Sequence, residues 1–423
     1  MRFLADLHIH SRYSRATSKD LSPEGIAKWA QLKGIGVIGT GDFTHPQWIK
    51  ELGEKLEPTG TGLFRLKKDF PTMDVPDSCK ADVSFLLTAE ISCIYSKNGR
   101  TRKVHALVLA PDFDAAGRIS ASLGAIGNIS SDGRPILGLD AKALLKIVLD
   151  ASPDALFIPA HAWTPHFSVF GSASGFDSLE ECFEDLTPHI RTIETGLSSD
   201  PPMNWRLSAL DGVTLISNSD AHSPSKIGRE ATIFDRPVSY SDIKDAIETR
   251  KGLVGTVEFF PEEGKYHHDG HKACGVSLSP AETRRHNEIC PLCLKKVTVG
   301  VMSRVEKLAD REAGYRPDGA PVFFPLIPLQ ELIAETLKVG AASKKVAKAY
   351  LALLEQLGNE HSILMDSPPD DIEAAGSPQL REAIARMRAG NVLIVPGYDG
   401  EYGKVRTFVD SERSEAKWQM QML

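Results

Sequence analysis

Two histidines one residue apart, His8 and His10, close the first apolar run of the chain in the order Asp6-Leu7-His8-Ile9-His10. Side chains two apart on a strand share a face, so both imidazoles project the same way. Groups of the same kind follow at the ends of later apolar stretches: Gly41-Asp42, Thr88-Ala89-Glu90, Val104-His105, Pro159-Ala160-His161 and Ser219-Asp220-Ala221-His222. Neutral imidazoles mixed with carboxylates are ligands for hydrolytic divalent metals. A lone histidine is ordinarily a satisfied core residue, and His166, His189, His286 and His361 are read that way. Seven ligand-type residues at strand edges are different, because buried charges must be paired or coordinate metals. The set His8, His10, Glu90, His105, His161, Asp220 and His222 therefore reads as a multi-metal hydrolase centre, with Glu90, Asp220 and His222 as its candidate catalytic groups. No Gly-x-Ser-x-Gly elbow is present, so no covalent nucleophile is required, and attack on a phosphoester by metal-activated water is expected.

The elements that must position these residues alternate. Phe3–Ile9, Gly36–Thr40, Ser84–Cys93, Lys103–Ala110, Ala155–Ala160, Arg191–Thr195 and Val213–Ser217 read as strands. Helices are expected at Pro23–Leu32, with Ser22 as cap and Gly34 as stop, and at Asp140–Leu149 and Ser241–Arg250. Repeated strand–helix alternation means a parallel sheet, and ligands spread over most strands favour its closure into a barrel whose strand ends meet at one mouth. Lys97-Asn98-Gly99-Arg100 is a hairpin signal. A turn centred on Asn98-Gly99 would pair Glu90 with Leu107 and make Glu90 and His105 diagonal neighbours, ~7–8 Å apart at Cα, able to share one metal.

His271-x2-Cys274 and Cys290-x2-Cys293 have the spacing of a closed structural zinc site, with His267 and His268 as competitors for the fourth place. Such a site holds a domain or touches a nucleic acid. The division expected is a barrel over 1–262, a zinc module over 263–302 and a mainly helical part over 303–423. In that last part, Leu329–Leu357 reads as two helices, Ser377–Met387 as another and Val392–Pro396 as a strand before the glycine-rich turn Gly397–Gly403.

The 423 residues are 42% hydrophobic and 25% charged, an ordinary globular composition. A net charge of -7 argues against a uniformly basic coat for nucleic acid, yet bound divalent cations would offset much of it locally. No apolar stretch approaches the ~20 residues of a membrane span. The amino terminus has no signal pattern, and Cys79, Cys93 and Cys182 are scattered, so a cytoplasmic, reducing location is expected.

The order of the histidine and acidic motifs resembles the polymerase-and-histidinol-phosphatase (PHP) superfamily, which implies a distorted (β/α)7 barrel with a two- or three-metal site. The resemblance puts one metal on His8, His10, Glu90 and Asp220, and has Glu90 bridge to a second on His105 and His161. A third would use His222 with Asp42. Many members have Asp-His where Asp42-Phe43 stands, so either His45 substitutes for the missing imidazole or that metal binds weakly. The whole-chain pattern resembles endonuclease Q. Its carriers are His8-Ile9-His10-Ser11-Arg12-Tyr13-Ser14, Gly39-Thr40-Gly41-Asp42, His161-Ala162-Trp163-Thr164-Pro165, Phe170-Gly171-Ser172, the zinc knuckles, Arg304–Arg311 and Pro396-Gly397-Tyr398-Asp399-Gly400. They run from about Met1 to Phe408. The implied activity is metal-dependent cleavage of DNA on the 5′ side of deaminated bases (uracil, hypoxanthine, xanthine) and abasic sites, with two or three catalytic Zn, Mg or Mn ions and one structural Zn.

A nuclease acting beside a damaged base must take the nucleotide out of the stack. Trp163, Phe167 and Phe170, just after a metal ligand, are candidates to line a pocket or wedge a duplex, although aromatics also simply fill cores. Arg12, Ser172, Tyr398, Asp399 and Tyr402 are further candidate contacts to DNA or lesion. Lys344 and Lys345 suit phosphates, which would make affinity fall with salt. The expected partner is damaged DNA, with a sliding clamp or helicase as a further expectation and no membrane. The alternatives are a small-molecule phosphatase on the same barrel and a non-catalytic, helicase-associated DNA-binding protein.

Overall fold

The computed structural model describes residues 2–409. Seven strands make the barrel: β1 (Arg2–Asp6), β2 (Ile35–Gly39), β3 (Ser84–Lys97), β4 (Arg100–Ala110), β5 (Leu156–Pro159), β6 (Thr192–Glu194) and β7 (Thr214–Ile216). β1, β2 and β3 pair in parallel, β4 runs against both β3 and β5, and β6 pairs in parallel with β7. Two seams are closed by single backbone contacts rather than ladders. Ala162 N–H donates to Glu194 O at 2.9 Å between β5 and β6, and His10 N–H donates to Ala221 O at 3.0 Å between β7 and β1. The expected distorted seven-stranded cylinder is therefore present. Phe3, Ala5 and Leu7, Val37, Leu86, Leu107, Ile158 and Ile216 form one core, covered by helix Tyr240–Thr249 through Tyr240, Ile243 and Ile247.

Sequence periodicity announced neither the short strands Leu56–Pro58, Phe64–Leu66 and Ile136–Leu137 nor three longer ones. β8 (Ala231–Asp235) pairs antiparallel with β1, β9 (Leu253–Glu258) antiparallel with β8, and β10 (Val322–Pro325) parallel with β9. β10 carries the sheet past the zinc module, so the segment after residue 303 is woven into the barrel before its helices begin. Helix Val301–Leu308 is tied down too, since Arg304 donates to the carbonyls of Phe170 and Phe176 at 2.9 and 2.7 Å.

Local signals account for the barrel elements. Ser22 caps helix Pro23–Lys33 by accepting from Gly25 N–H, and Gly34 ends it at φ 88°. Asp140 caps Ala141–Ala151 in the same way. Asn98 and Gly99 have φ of 54° and 71°, the twin positive values of a type I′ turn. The turn locks the β3–β4 register with Lys97 opposite Arg100, Glu90 opposite Leu107 and Ser92 opposite His105, as expected. A one-residue slip would send Glu90 to the other face.

After the barrel come the pair Asp269–His271 with Val276–Leu278, the box-capped helix Pro280–Arg285 and then the helices Leu329–Leu337, Lys344–Leu357, Pro369–Ala375 and Pro378–Arg388. A two-stranded ribbon, Leu393–Val395 with Lys404–Arg406, carries the glycine-rich turn. The helices dock on barrel helix Pro23–Lys33 through a buried ion pair. Lys33 Nζ lies 2.6 Å from Glu360 Oε2, and both side chains are almost fully buried. Tyr350 Oη–H and Leu329 N–H also donate to Glu360, at 2.8 and 3.1 Å. Burial alone would raise the Glu360 pKa, but Lys33 and these donors hold it below the ordinary range.

Removing one partner of such a pair leaves a bare buried charge. Lys33→Met should cost about 3–5 kcal/mol in urea unfolding of the full chain, and Lys33→Met with Glu360→Leu should recover most of that loss. A single variant within about 1 kcal/mol of wild type would show that the pair does not anchor the helices.

Candidate metal centre

β1 delivers His8 and His10 just past its end, β5 delivers His161, β6 ends on Glu194, and β7 leads to Asp220 and His222. Glu90 and His105 lie side by side within the β3–β4 hairpin. Two groups of donor atoms result, each with its members within 4.8 Å of one another.

In the first, His8 Nε2 lies 3.7 Å from both Glu90 Oε2 and Asp220 Oδ1. His10 Nε2 lies 3.3 Å from Glu90 Oε2 and 3.0 Å from Asp220 Oδ1. In the second, Glu90 Oε1 is 2.6 Å from His105 Nδ1 and 2.9 Å from His161 Nε2, and the two imidazole nitrogens are 3.3 Å apart. Glu90 belongs to both, one oxygen to each. Tetrahedral ligands about 2.1 Å from an ion sit roughly 3.4 Å from one another, so both groups have the size of a metal site. His8 Nε2, His10 Nε2 and Asp220 Oδ1 are buried without a hydrogen-bond partner. Orphaned lone pairs facing one another are costly unless a cation fills the gap, so the residues fit divalent ions.

A layer behind the donors fixes their orientation. Both Glu194 oxygens lie 3.0 Å from His8 Nδ1, Asp42 Oδ1 is 3.1 Å from His10 Nδ1, and Ser92 Oγ is 3.1 Å from His105 Nε2. A proton on the rear nitrogens of His8 and His10 leaves both Nε2 lone pairs facing the centre, the arrangement that metal-ligating histidines use. Glu194 also accepts from His161 N–H at 2.7 Å and from Asn218 Nδ2 at 2.9 Å. Strain collects here: Asp42, His161 and Asp220 have φ of 52°, 30° and 47°, a left-handed region that costs non-glycine residues about 1–3 kcal/mol each. Gly196 makes room, since a Cβ there would stand 2.4 Å from His161 Cβ.

The electrostatics follow from burial. Desolvation would raise the Glu90 pKa, but His105, Arg134 and His8 pull it well below the usual carboxylate range. Desolvation would lower His8 and His10, yet Glu194, Asp42, Asp220 and Glu90 hold both well above the ordinary value. His105 goes the other way, pushed down to about 4 by burial.

The third set expected from the sequence is not assembled. Asp42 spends Oδ2 on Ser11 N–H, Ser11 Oγ–H and Ser14 Oγ–H at 2.7, 2.6 and 2.8 Å, and its other oxygen on His10. His45 Nε2 lies 3.1 Å from Ser130 O, and the ring stacks on Tyr13. His222 Nδ1 is 2.9 Å from Asp220 O, and its one-third-exposed ring lies against His10. Asp42 thus orients a ligand, and none of the three falls in a donor group.

The aromatic wedge is also corrected. Trp163 and Phe170 are buried and pack on each other, with Trp163 Nε1–H donating to Asn204 Oδ1 at 2.8 Å. Phe167 alone of that trio reaches the centre, its ring 4.7 Å from His105. Asp399 is committed as well, accepting from Lys272 N–H and Thr298 Oγ–H, both at 2.6 Å. Tyr402 is 71% exposed, Tyr398 is half-buried against Gly270, and Arg12 pairs with Glu51 at 2.7 Å. Ser172, Lys344 and Lys345 are exposed. The knuckles do converge: His271, Cys274, Cys290 and Cys293 form one group, with Cys293 Sγ 3.6 Å from His271 Nδ1, and His267 and His268 lie outside it.

Two residues went unread in the sequence. Glu194 occupies the same strand-end position as the other acids, a signal that could have found it. Arg134 donates from Nη1 to Glu90 Oε2 at 3.0 Å, and nothing in its neighbourhood of the sequence points to that. Among the described residues, no helix is long and apolar enough to cross a membrane.

Comparison with known proteins agrees with this geometry. The MJ0043 C-terminal domain family matches residues 328–391, the span of the carboxy-terminal helices. The uncharacterized protein MJ0043 of Methanocaldococcus jannaschii is 31% identical over 58% of this chain, which spans only 31% of that longer protein. The crystal structure of the lesion-specific endonuclease PfuEndoQ from Pyrococcus furiosus superposes with a TM-score of 0.83 at 32% identity, covering 96% of this chain and 95% of that one. Endonuclease Q in complex with a 27-mer duplex bearing an abasic lesion at the active site superposes at 0.82 and 32% identity, covering 97% and 98%. With likeness at that identity running through barrel, zinc knuckles and carboxy-terminal helices alike, this chain belongs to the endonuclease Q family and is a metal-dependent nuclease built on a PHP-type barrel.

Proposed function

We propose that this protein is a DNA repair endonuclease that hydrolyses the phosphodiester on the 5′ side of deaminated bases and abasic sites. The observation that carries the reading is Glu90, one carboxylate shared by two sets of buried donors whose lone pairs face each other. Divalent cations held there would lower the pKa of water and neutralise charge on a phosphoryl group. His8, His10, Glu90 and Asp220 would hold one, and Glu90, His105 and His161 the other, as Zn, Mg or Mn. A further zinc on His271, Cys274, Cys290 and Cys293 would only stabilise its module.

The chain's own groups supply the rest. Glu194 and Asp42 keep His8 and His10 oriented, while His222, partly open to solvent beside Asp220, can exchange a proton at the leaving oxygen. Phe167 presents a ring beside His105 for an unstacked sugar or base. A cleft of about 710 Å³ is lined by Arg12, Lys19 and Lys28 with Ser18, Ser22 and Ser223, and by one acid, Asp20; its three cations suit a phosphate backbone. The lesion specificity rests on the relative solved with an abasic duplex. DNA is the partner proposed. Ser172, Tyr398, Tyr402, Lys344 and Lys345 remain proposed outer contacts.

End-labelled duplexes with one uracil, hypoxanthine or abasic site, incubated with Mg²⁺, Mn²⁺ or Zn²⁺, should show one nick immediately 5′ of the lesion and none in undamaged DNA. Turnover of an aryl phosphate without any nick would favour the phosphatase instead. Asp220→Asn should abolish nicking while largely preserving DNA binding; full activity would remove Asp220 from the centre. Glu194→Gln should weaken metal retention about 10–100-fold in chelator competition, as loss of a ligand's rear partner does. Unchanged retention would deny Glu194 its orienting role.

A further inference from the structure

Resting on the nuclease reading, we propose that Arg134 grips a non-bridging oxygen of the scissile phosphate and supplies the positive charge that the sequence assigned to a third cation. The guanidinium carries five N–H donors. Among the described residues it meets one acceptor, Glu90 Oε2 at 3.0 Å, and its side chain is 26% exposed. The remaining donors therefore reach solvent beside the carboxylate that both donor groups share. A planar fork with free N–H groups at the mouth of a phosphoesterase centre matches a phosphate oxygen pair, a geometry lysine cannot reproduce.

The loop that presents Arg134 is fixed on both sides. Ser92 N–H donates to Pro135 O at 3.0 Å, and Ile136 and Leu137 pair with Ser92 and Cys93 of β3. Gly133 N–H donates to Tyr13 O at 3.0 Å. A Cβ on Gly133 would stand 2.3 Å from Asp42 Oδ2 and 2.4 Å from Ser14 Oγ, so only glycine lets the loop come this close. Asp132 accepts from the backbone N–H groups of Arg15 and Arg134, both at 3.2 Å. His45 lies 3.1 Å from Ser130 O in the same loop. Asp42 thus borders the space that Gly133 leaves open and His45 holds Ser130, so both residues expected around a third metal flank the loop that carries the arginine. Such preorganisation costs nothing at the moment of reaction, when the phosphoryl group gains charge.

The test uses the full chain loaded with Mn²⁺, compared with Arg134→Gln and Arg134→Lys. Binding of inorganic phosphate is read by calorimetry, first-turnover nicking of an abasic duplex on gels, and metal content by elemental analysis. Arg134→Gln should bind phosphate at least about tenfold more weakly and nick about 10²-fold more slowly, the scale for one lost transition-state donor. Metal content should not change, and Arg134→Lys should fall between. Phosphate binding and nicking at wild-type levels in Arg134→Gln would overturn the proposal. So would loss of metal from Arg134→Gln with full recovery in Arg134→Lys, which would make the arginine only a brace for Glu90. The phosphate arm needs no DNA: a wild type that never nicks damaged duplexes sinks the nuclease reading, whereas the anion site stands or falls on phosphate alone.

Discussion

A carboxylate cannot stay ionised at the bottom of a dry pocket without positive charge around it, and Glu90 is such a group, 1% exposed at the centre of the barrel mouth. The rest of the site can be derived from that constraint. Glu90, Asp220, Asp42 and Glu194 bring four carboxylates into one buried volume, while Arg134 is the permanent cation in direct contact with Glu90. Burial disfavours charge on His8 and His10, yet the carboxylates around them hold both pKa values above the ordinary range. A cation held there would compete with protons for the same lone pairs. Two divalent ions would convert the acidic excess into a small positive one, suited to an anionic phosphodiester.

Much of this was legible because strand chemistry is periodic. The Asn98-Gly99 turn fixed the hairpin register, and with it the adjacency of Glu90 and His105, from sequence alone. The zinc knuckles were equally readable, since their spacing leaves little freedom. Glu194 escaped because Arg191-Thr192-Ile193-Glu194-Thr195 looks like an ordinary alternating strand, and its partner His8 is 186 residues away. β8 and β9 escaped for a similar reason. They extend the sheet antiparallel beyond β1, so no βαβ signal accompanies them.

The misreadings share a physical cause. Trp163 follows a metal ligand directly, but the chain turns inward there: His161 takes a positive φ and Trp163 Nε1–H finds Asn204. Position along the sequence predicted proximity to the mouth correctly and side-chain direction wrongly. Asp42 shows the converse. Its type and strand-end position were right for a ligand, yet three hydroxyl and amide donors from Ser11 and Ser14 already occupy Oδ2. With its other oxygen on His10 Nδ1, the carboxylate is placed as a brace behind that imidazole, and such placement shows only in the partners.

The carboxy-terminal turn is joined by backbone to the segment that follows the barrel's last strands. Gly397, Gly400 and Gly403 donate to the carbonyls of Glu262, Lys265 and Glu263 at 2.8, 2.8 and 3.0 Å. Glu262 and Glu263 follow β9, while Asp399 ties the same turn to the zinc module through Lys272 and Thr298. Three regions distant in sequence thus meet along one rim, and none hangs on a flexible side chain alone. Misplacement of about 1 Å can cost a reaction 10²-fold. With Asp399 spent on Lys272 and Thr298 of the knuckles and three glycine amides spent on the segment after β9, the turn is held on two sides.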